Sequence, residues 1–193
     1  MAARRRLPLL VAALAVTAAA ASACTDVNGT NGTNFVTSDG SVTEIPVADR
    51  DAPVDVSGET LAGDQLDLAD LRGKVVVVNV WGAWCTACRA EAPLLVDAVA
   101  DFPADTTMVG IDIRDASKDY ALAYERGFGV DYPSIYDVGS TTLLGFPTPY
   151  NPRDTPSTMV LDREGRLAAL IRGALPSKLT LVQVVEKVAA EDA

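Results

Sequence analysis

Two of the three cysteines lie in the segment Trp84-Cys85-Thr86-Ala87-Cys88. A Cys-x-x-Cys spacing lets two thiols close a disulfide within one helical turn. It also sets the first thiol at a helix N-terminus if a helix follows, where unsatisfied N–H groups and the helix dipole favour thiolate. This is the residue pattern of thiol-disulfide exchange. The competing readings of the pair are an inert bridge and half of a zinc site. Zinc needs about four ligands, and the chain has no histidine and no second Cys-x-x-Cys. The absence of histidine also removes Cys-His catalysis and histidine ligation of haem, so chemistry here must run on thiols and carboxylates.

The elements that would hold such a pair are legible on both sides of it. Val75-Val76-Val77-Val78-Asn79-Val80-Trp81 is apolar and β-branched nearly throughout, which predicts a central strand buried on both faces. Ala87 to Val99 has helical content interrupted by Pro93, so a kink is expected about one turn past the cysteines. Thr107 to Ile113 reads as a second buried strand, and Ser117 to Arg126 as a helix ended by Gly127. That alternation argues for parallel pairing through right-handed crossovers. Upstream, apolar patches at Val54 to Val56 and Leu66 to Leu68 frame Gly58 and Gly63 and suggest a hairpin or edge strand. Val130 to Asp154 is irregular and proline-rich. Ser157 to Leu161 and Leu167 to Ile171 flank the turn Asp162-Arg163-Glu164-Gly165-Arg166 as a hairpin, and Pro176 to Val188 closes the chain as an amphipathic helix. The expected fold class is α/β, with a mixed central sheet flanked by helices.

The 193 residues suit one ordinary domain, and 49% hydrophobic content excludes a wholly disordered chain. The N-terminus reads as an export signal: Arg4 to Arg6, then an apolar stretch from Leu7 to about Ala20, then the small residues Ala21-Ser22-Ala23 before Cys24. These residues resemble the lipobox of bacterial lipoproteins, which implies cleavage before Cys24 and lipid attachment to it. The alternative is an ordinary secretory signal cut near the same place. The expected organisation is therefore a signal peptide over 1–23, a flexible tether over 24–50, rich in Asn, Gly, Thr, Ser and Asp, and a folded domain over 51–193. Net charge is −10. Removing the three leader arginines from the 16 basic residues leaves 13 against 26 acidic ones, or −13, a surface that repels nucleic acid and anionic headgroups.

The combined order of strand, Trp-Cys-x-x-Cys, proline-bearing helix, βα unit, then Thr155-Pro156 leading into a hairpin and last helix resembles the thioredoxin fold. More narrowly, residues 45 to 190 resemble the TlpA/ResA group of membrane-tethered extracytoplasmic thiol-disulfide oxidoreductases. Asn79 stands where cytoplasmic thioredoxins carry a buried Asp. Cys88-Arg89-Ala90-Glu91-Ala92-Pro93 matches the group's Cys-x-x-Glu-x-Pro continuation, and Leu71-Arg72-Gly73-Lys74 also fits.

The resemblance implies that Cys85 attacks and Cys88 resolves, with no cofactor or metal beyond the redox-active disulfide. It implies that Glu91 assists proton transfer or tunes the thiols, the alternative being a solvated surface acid. It implies a cis-proline at Pro156, with Thr155 offering its backbone to a substrate strand; otherwise Pro156 is a loop terminator before a strand. Trp84 either covers the thiol and contacts substrate or simply packs.

The implied activity is reduction of disulfides in exported proteins such as apocytochrome c during cytochrome c maturation. The implied setting is the outer face of the cell membrane, with a lipid anchor, a membrane electron donor or acceptor as partner, and no nucleic acid. Two alternatives stay open: an oxidase that forms disulfides in exported proteins, and a non-catalytic binding lipoprotein on the same fold. Thr86-Ala87 replaces the proline-containing dipeptides frequent between such cysteines, so the direction of electron flow is not fixed by the motif. The pair also differs from a peroxidatic cysteine with its threonine and proline context.

Overall fold

The structure, a computed structural model, describes residues 35–36 and 41–191. The expected signal peptide and Cys24 lie outside the described residues, as does most of the expected tether. A seven-stranded mixed sheet runs in the order β1-β2-β9-β8-β5-β6-β7. Its strands are β1 (Phe35–Val36), β2 (Val42–Glu44), β5 (Val75–Trp81), β6 (Thr106–Ile113), β7 (Ser134–Asp137), β8 (Ser157–Leu161) and β9 (Leu167–Arg172). β3 (Ser57–Glu59) and β4 (Gln65–Asp67) form a separate hairpin. Gly63 takes a positive φ of 95° in its turn, a conformation that L side chains rarely adopt.

β5 is central because every one of its seven side chains is buried. It pairs in parallel with β6 and antiparallel with β8, and β6 pairs in parallel with β7. Alternation divides its residues between two faces. Val75 and Val77 pack with Leu95 of α1 (Thr86–Val99) and with Leu181 and Val185 of α3 (Lys178–Ala190). Farther along the same face Trp81 packs with Cys88 and Ala92 of α1 and with Ala121 and Tyr124 of α2 (Lys118–Phe128). Val76, Val78 and Val80 pack on the opposite face, which is covered by Ile45, Val54, Leu68 and Phe146 from loops and short 3-10 turns. The expected α/β class with a mixed, helix-flanked sheet is therefore present.

Several boundaries differ from the sequence reading. α1 starts at Thr86, one residue before the expected Ala87, and takes in Pro93 on its way to Val99. α2 continues past Gly127 to Phe128 and is capped by Gly129, whose φ of 71° is the left-handed conformation that closes a helix. The stretch after Val130, expected to be irregular, contains β7 at the sheet edge. Four residues with only two large apolar side chains carry too little periodicity to be seen. Val42–Glu44 falls within the expected tether, but it is a strand whose register pairs Val42 with Ile171. Arg50 then pins this entry segment, donating to the Ile45 carbonyl and holding Asp162 and Glu191.

Candidate active site

β5 ends at Trp81, and the short link Gly82-Ala83-Trp84 delivers the chain to α1. Three hydrogen bonds fix this link. Cys85 N–H donates to the Gly82 carbonyl at 3.0 Å, Ala83 N–H to Oδ2 of Asp115 at 2.7 Å, and the Trp84 indole N–H to the Ile113 carbonyl at 2.9 Å. Gly82 is required here because a Cβ would overlap Nε1 of Trp84 and lie 3.0 Å from the Ile113 oxygen.

Cys85 is the N-cap of α1, and its sulfur accepts from Cys88 N–H at 3.1 Å. The Cys85 and Cys88 Cα atoms are 5.2 Å apart and the sulfurs are bonded as a disulfide. Both residues are buried, Cys88 completely. The helix N-terminus thus presents its donors to the first sulfur, which is the arrangement that lowers a thiol's pKa once the bond is reduced.

Thr155 and Pro156 come to the same place from the far end of the irregular stretch. The Thr155–Pro156 bond is cis, and the Thr155 carbonyl oxygen lies 3.7 Å from Cys85 Sγ. Trp84 is half exposed beside them, with the Arg114 guanidinium 4.8 Å above its ring. Arg114 also donates to Oγ1 of Thr155 at 3.2 Å, so one side chain links the cysteine loop to the proline loop.

Glu91 is 2% exposed, which removes the reading of it as a solvated surface acid. One carboxylate oxygen accepts from the Asn79 side-chain amide at 3.1 Å, and the other from Leu175 N–H at 2.7 Å. Asn79 also donates to Oγ1 of Thr158 at 3.0 Å. Burial pushes the Glu91 pKa up to about 7, against the opposing pull of those two hydrogen bonds. A carboxyl poised there, one turn beyond Cys88 on the same helix, can hold or release a proton at neutral pH.

The structure therefore brings Trp84, Cys85, Cys88, Thr155 and Pro156 together, with Glu91 buried one turn beyond Cys88 on the same helix. Sequence reasoning missed Arg114, Tyr124 and Asp112. Arg114 is non-glycine at φ 58°, a strained backbone that nothing in the sequence signals. Tyr124 stacks on Trp81 with ring centres 4.3 Å apart and donates to the Cys88 carbonyl at 2.9 Å.

Asp112 is fully buried, and neither carboxylate oxygen accepts from a protein donor, its polar neighbour being the Asp115 carboxyl. Burial, and then the nearby Asp115, Glu125 and Asp137 carboxylates, push its pKa up to about 9, so it is a neutral acid at pH 7. A lone acid in the run Met108-Val109-Gly110-Ile111-Asp112-Ile113 was the available signal. Among the described residues no group of three or more His, Cys, Asp or Glu side chains could hold a metal. No helix among them is long and apolar enough to cross a membrane.

Comparison with known proteins agrees with this geometry. Thiol-disulfide oxidoreductase ResA of Bacillus subtilis is 27% identical over 130 residues, covering 67% of this chain and 69% of the relative. Thioredoxin-like protein YneN of the same organism is 26% identical over 140 residues, covering 72% and 79%. Among solved structures, a DsbF homologue from Corynebacterium diphtheriae superposes with a TM-score of 0.67 at 31% identity, covering 82% of this chain and 99% of that one. A secreted thiol-disulfide isomerase from Corynebacterium glutamicum superposes at 0.66 with 30% identity, covering 84% and 100%. The AhpC/TSA family model matches residues 49–170, a span that holds the Cys85–Cys88 pair, Glu91 and the Thr155–Pro156 turn. With that span matched, the chain belongs to the AhpC/TSA family, as a thioredoxin-fold thiol-disulfide oxidoreductase similar to ResA.

Proposed function

We propose that this protein is a reductase of disulfides in exported proteins, held on the extracytoplasmic face of the membrane by lipid on Cys24, with apocytochrome c as client. The leader ending in Ala21-Ser22-Ala23-Cys24 supports export and anchoring. The observation that carries the reducing direction is the buried Glu91 carboxyl one turn beyond Cys88. Where it is ionised it opposes the thiolate stabilisation that the helix N-terminus supplies at Cys85, and a pair whose thiolate is less stabilised is the stronger reductant.

In the reduced state the Cys85 thiolate attacks one sulfur of the client disulfide. A bond forms between Cys85 and that sulfur, and the other client sulfur leaves as thiolate and takes a proton. Cys88 then loses its proton, for which Glu91 is the proposed acceptor, and attacks Cys85 Sγ. The second client sulfur is released as a thiol. Two electrons have passed from the cysteine pair to the client, leaving the Cys85–Cys88 disulfide described above. A membrane dithiol donor restores the pair by the same exchange in reverse. Trp84 and the Thr155 carbonyl flank Cys85 and receive the client strand.

The test is a trapping reaction. Reduced Cys88→Ala protein, mixed with an oxidised Cys-x-x-Cys-His peptide, should accumulate a mixed disulfide on Cys85, while the reduced native pair should convert the peptide to its dithiol. Failure to form either product contradicts the proposal.

A further inference from the structure

Beside the cysteine pair lies an open groove of about 610 Å³ between the start of α1 and the length of α2. Its walls are largely aromatic and apolar, formed by Trp84, Tyr120, Tyr124 and Phe128. Trp84 is 49% and Tyr120 64% exposed, an apolar surface left uncovered next to a reactive sulfur. Arg89 and Arg114 stand within the same lining. Neither holds a carboxylate among the described residues. The Arg89 guanidinium lies 5.2 Å over the Phe128 ring and that of Arg114 4.8 Å over Trp84. The one carboxylate in the lining, Asp115, is buried and accepts the Ala83 N–H. In a chain with 26 acidic and 16 basic residues, two unpaired arginines on aromatic walls mark a local reversal of charge.

We infer that this groove docks the client polypeptide next to its reactive cysteine, taking an apolar side chain against Trp84, Tyr120 and Phe128 and an acidic residue against Arg89 and Arg114. The inference rests on the reading of Cys85–Cys88 as exchanging with polypeptide clients, and it names the sequence context those clients carry. Aromatic walls supply contact area at small entropic cost. The two guanidiniums select acidic over basic flanks and steer an acidic client segment toward this cationic rim. Arg114 does this while donating to Thr155, so the anion site adjoins the proline loop that flanks Cys85.

The test uses full-length protein and two peptides in which serine replaces the reactive cysteine, so that binding is read without exchange. Both carry the same phenylalanine, with glutamates flanking it in one and lysines in the other. Titration followed by tryptophan fluorescence in a Trp81→Phe background should show the glutamate peptide binding at least about fivefold more tightly at low salt, with the ratio shrinking as salt screens exposed charge. Arg89→Glu should turn the preference toward the lysine peptide, and Arg114→Gln should reduce it, results that a merely destabilised protein would not give. Equal affinity for the two peptides, binding of neither, or a preference untouched by both substitutions overturns the inference. Reduction of the neutral hydroxyethyl disulfide is scored separately. A protein that reduces it yet does not discriminate the peptides loses only the groove, and one that discriminates but exchanges no disulfide loses only the redox reading.

Discussion

The side-chain amide of Asn79 donates to the Glu91 carboxylate at 3.1 Å, tying the middle of β5 to the helix that carries both cysteines. Asn79 is a neutral donor, so it holds Glu91 in place without supplying the positive charge that would force it to ionise. The result is an acid with a pKa near 7 beneath a redox pair.

If Glu91 takes the Cys88 proton as proposed, it should set the pH dependence of exchange. Rates of peptide disulfide reduction measured from pH 5 to 9 should show an inflection near pH 7 that disappears in Glu91→Gln, and the substituted protein should be slower by on the order of 10²-fold above pH 7. A profile unchanged by the substitution would remove Glu91 from the proton path while leaving the cysteines in it.

The same burial has a cost in stability with a definite sign. Glu91 has a folded pKa above its unfolded value, so the folded state holds the proton after the unfolded chain has released it. Stability is greatest below about pH 4.5 on this account and falls as pH rises to about 7, by on the order of 3 kcal/mol. Asp112 acts in the same direction over a window reaching about pH 9. Urea unfolding of the oxidised protein should show stability declining across this range. Glu91→Gln should flatten the lower part of the decline, and Asp112→Asn should end it near pH 7. Stability that rises from pH 5 to 9 would contradict both assignments.

Gly82→Ala should displace the Trp84 indole, because the new Cβ overlaps Nε1 and sits 2.8 Å from Cε2. Loss of the indole hydrogen bond to Ile113 should cost about 1–3 kcal/mol in urea unfolding and shift the tryptophan emission. An unperturbed emission spectrum and unchanged stability would show that the loop accommodates the methyl group.

The central strand and the cysteine pair were readable from residue types, whereas Glu91, Thr155 and Pro156 entered through the family resemblance. Val75 to Trp81 and the cysteine spacing announce themselves through local pattern, and those elements appear where pattern put them. What pattern could not reach was set by tertiary contact. β2 is a strand because β9 offers it an edge, and β7 because β6 does, not through any strong signal of their own. The burial of Glu91 depends on Leu175, 84 residues away, turning its N–H inward. Arg114 enters the site through a backbone conformation that only the assembled loops impose.

The direction of electron flow is the centre of the account, and the equilibrium reduction potential of the Cys85–Cys88 pair measures it most directly. Titrated at pH 7 against glutathione or dithiothreitol, the pair should equilibrate near about −270 mV, the value of a thioredoxin-like reductant. A potential near about −120 mV, that of a dedicated disulfide-forming oxidase, would contradict it.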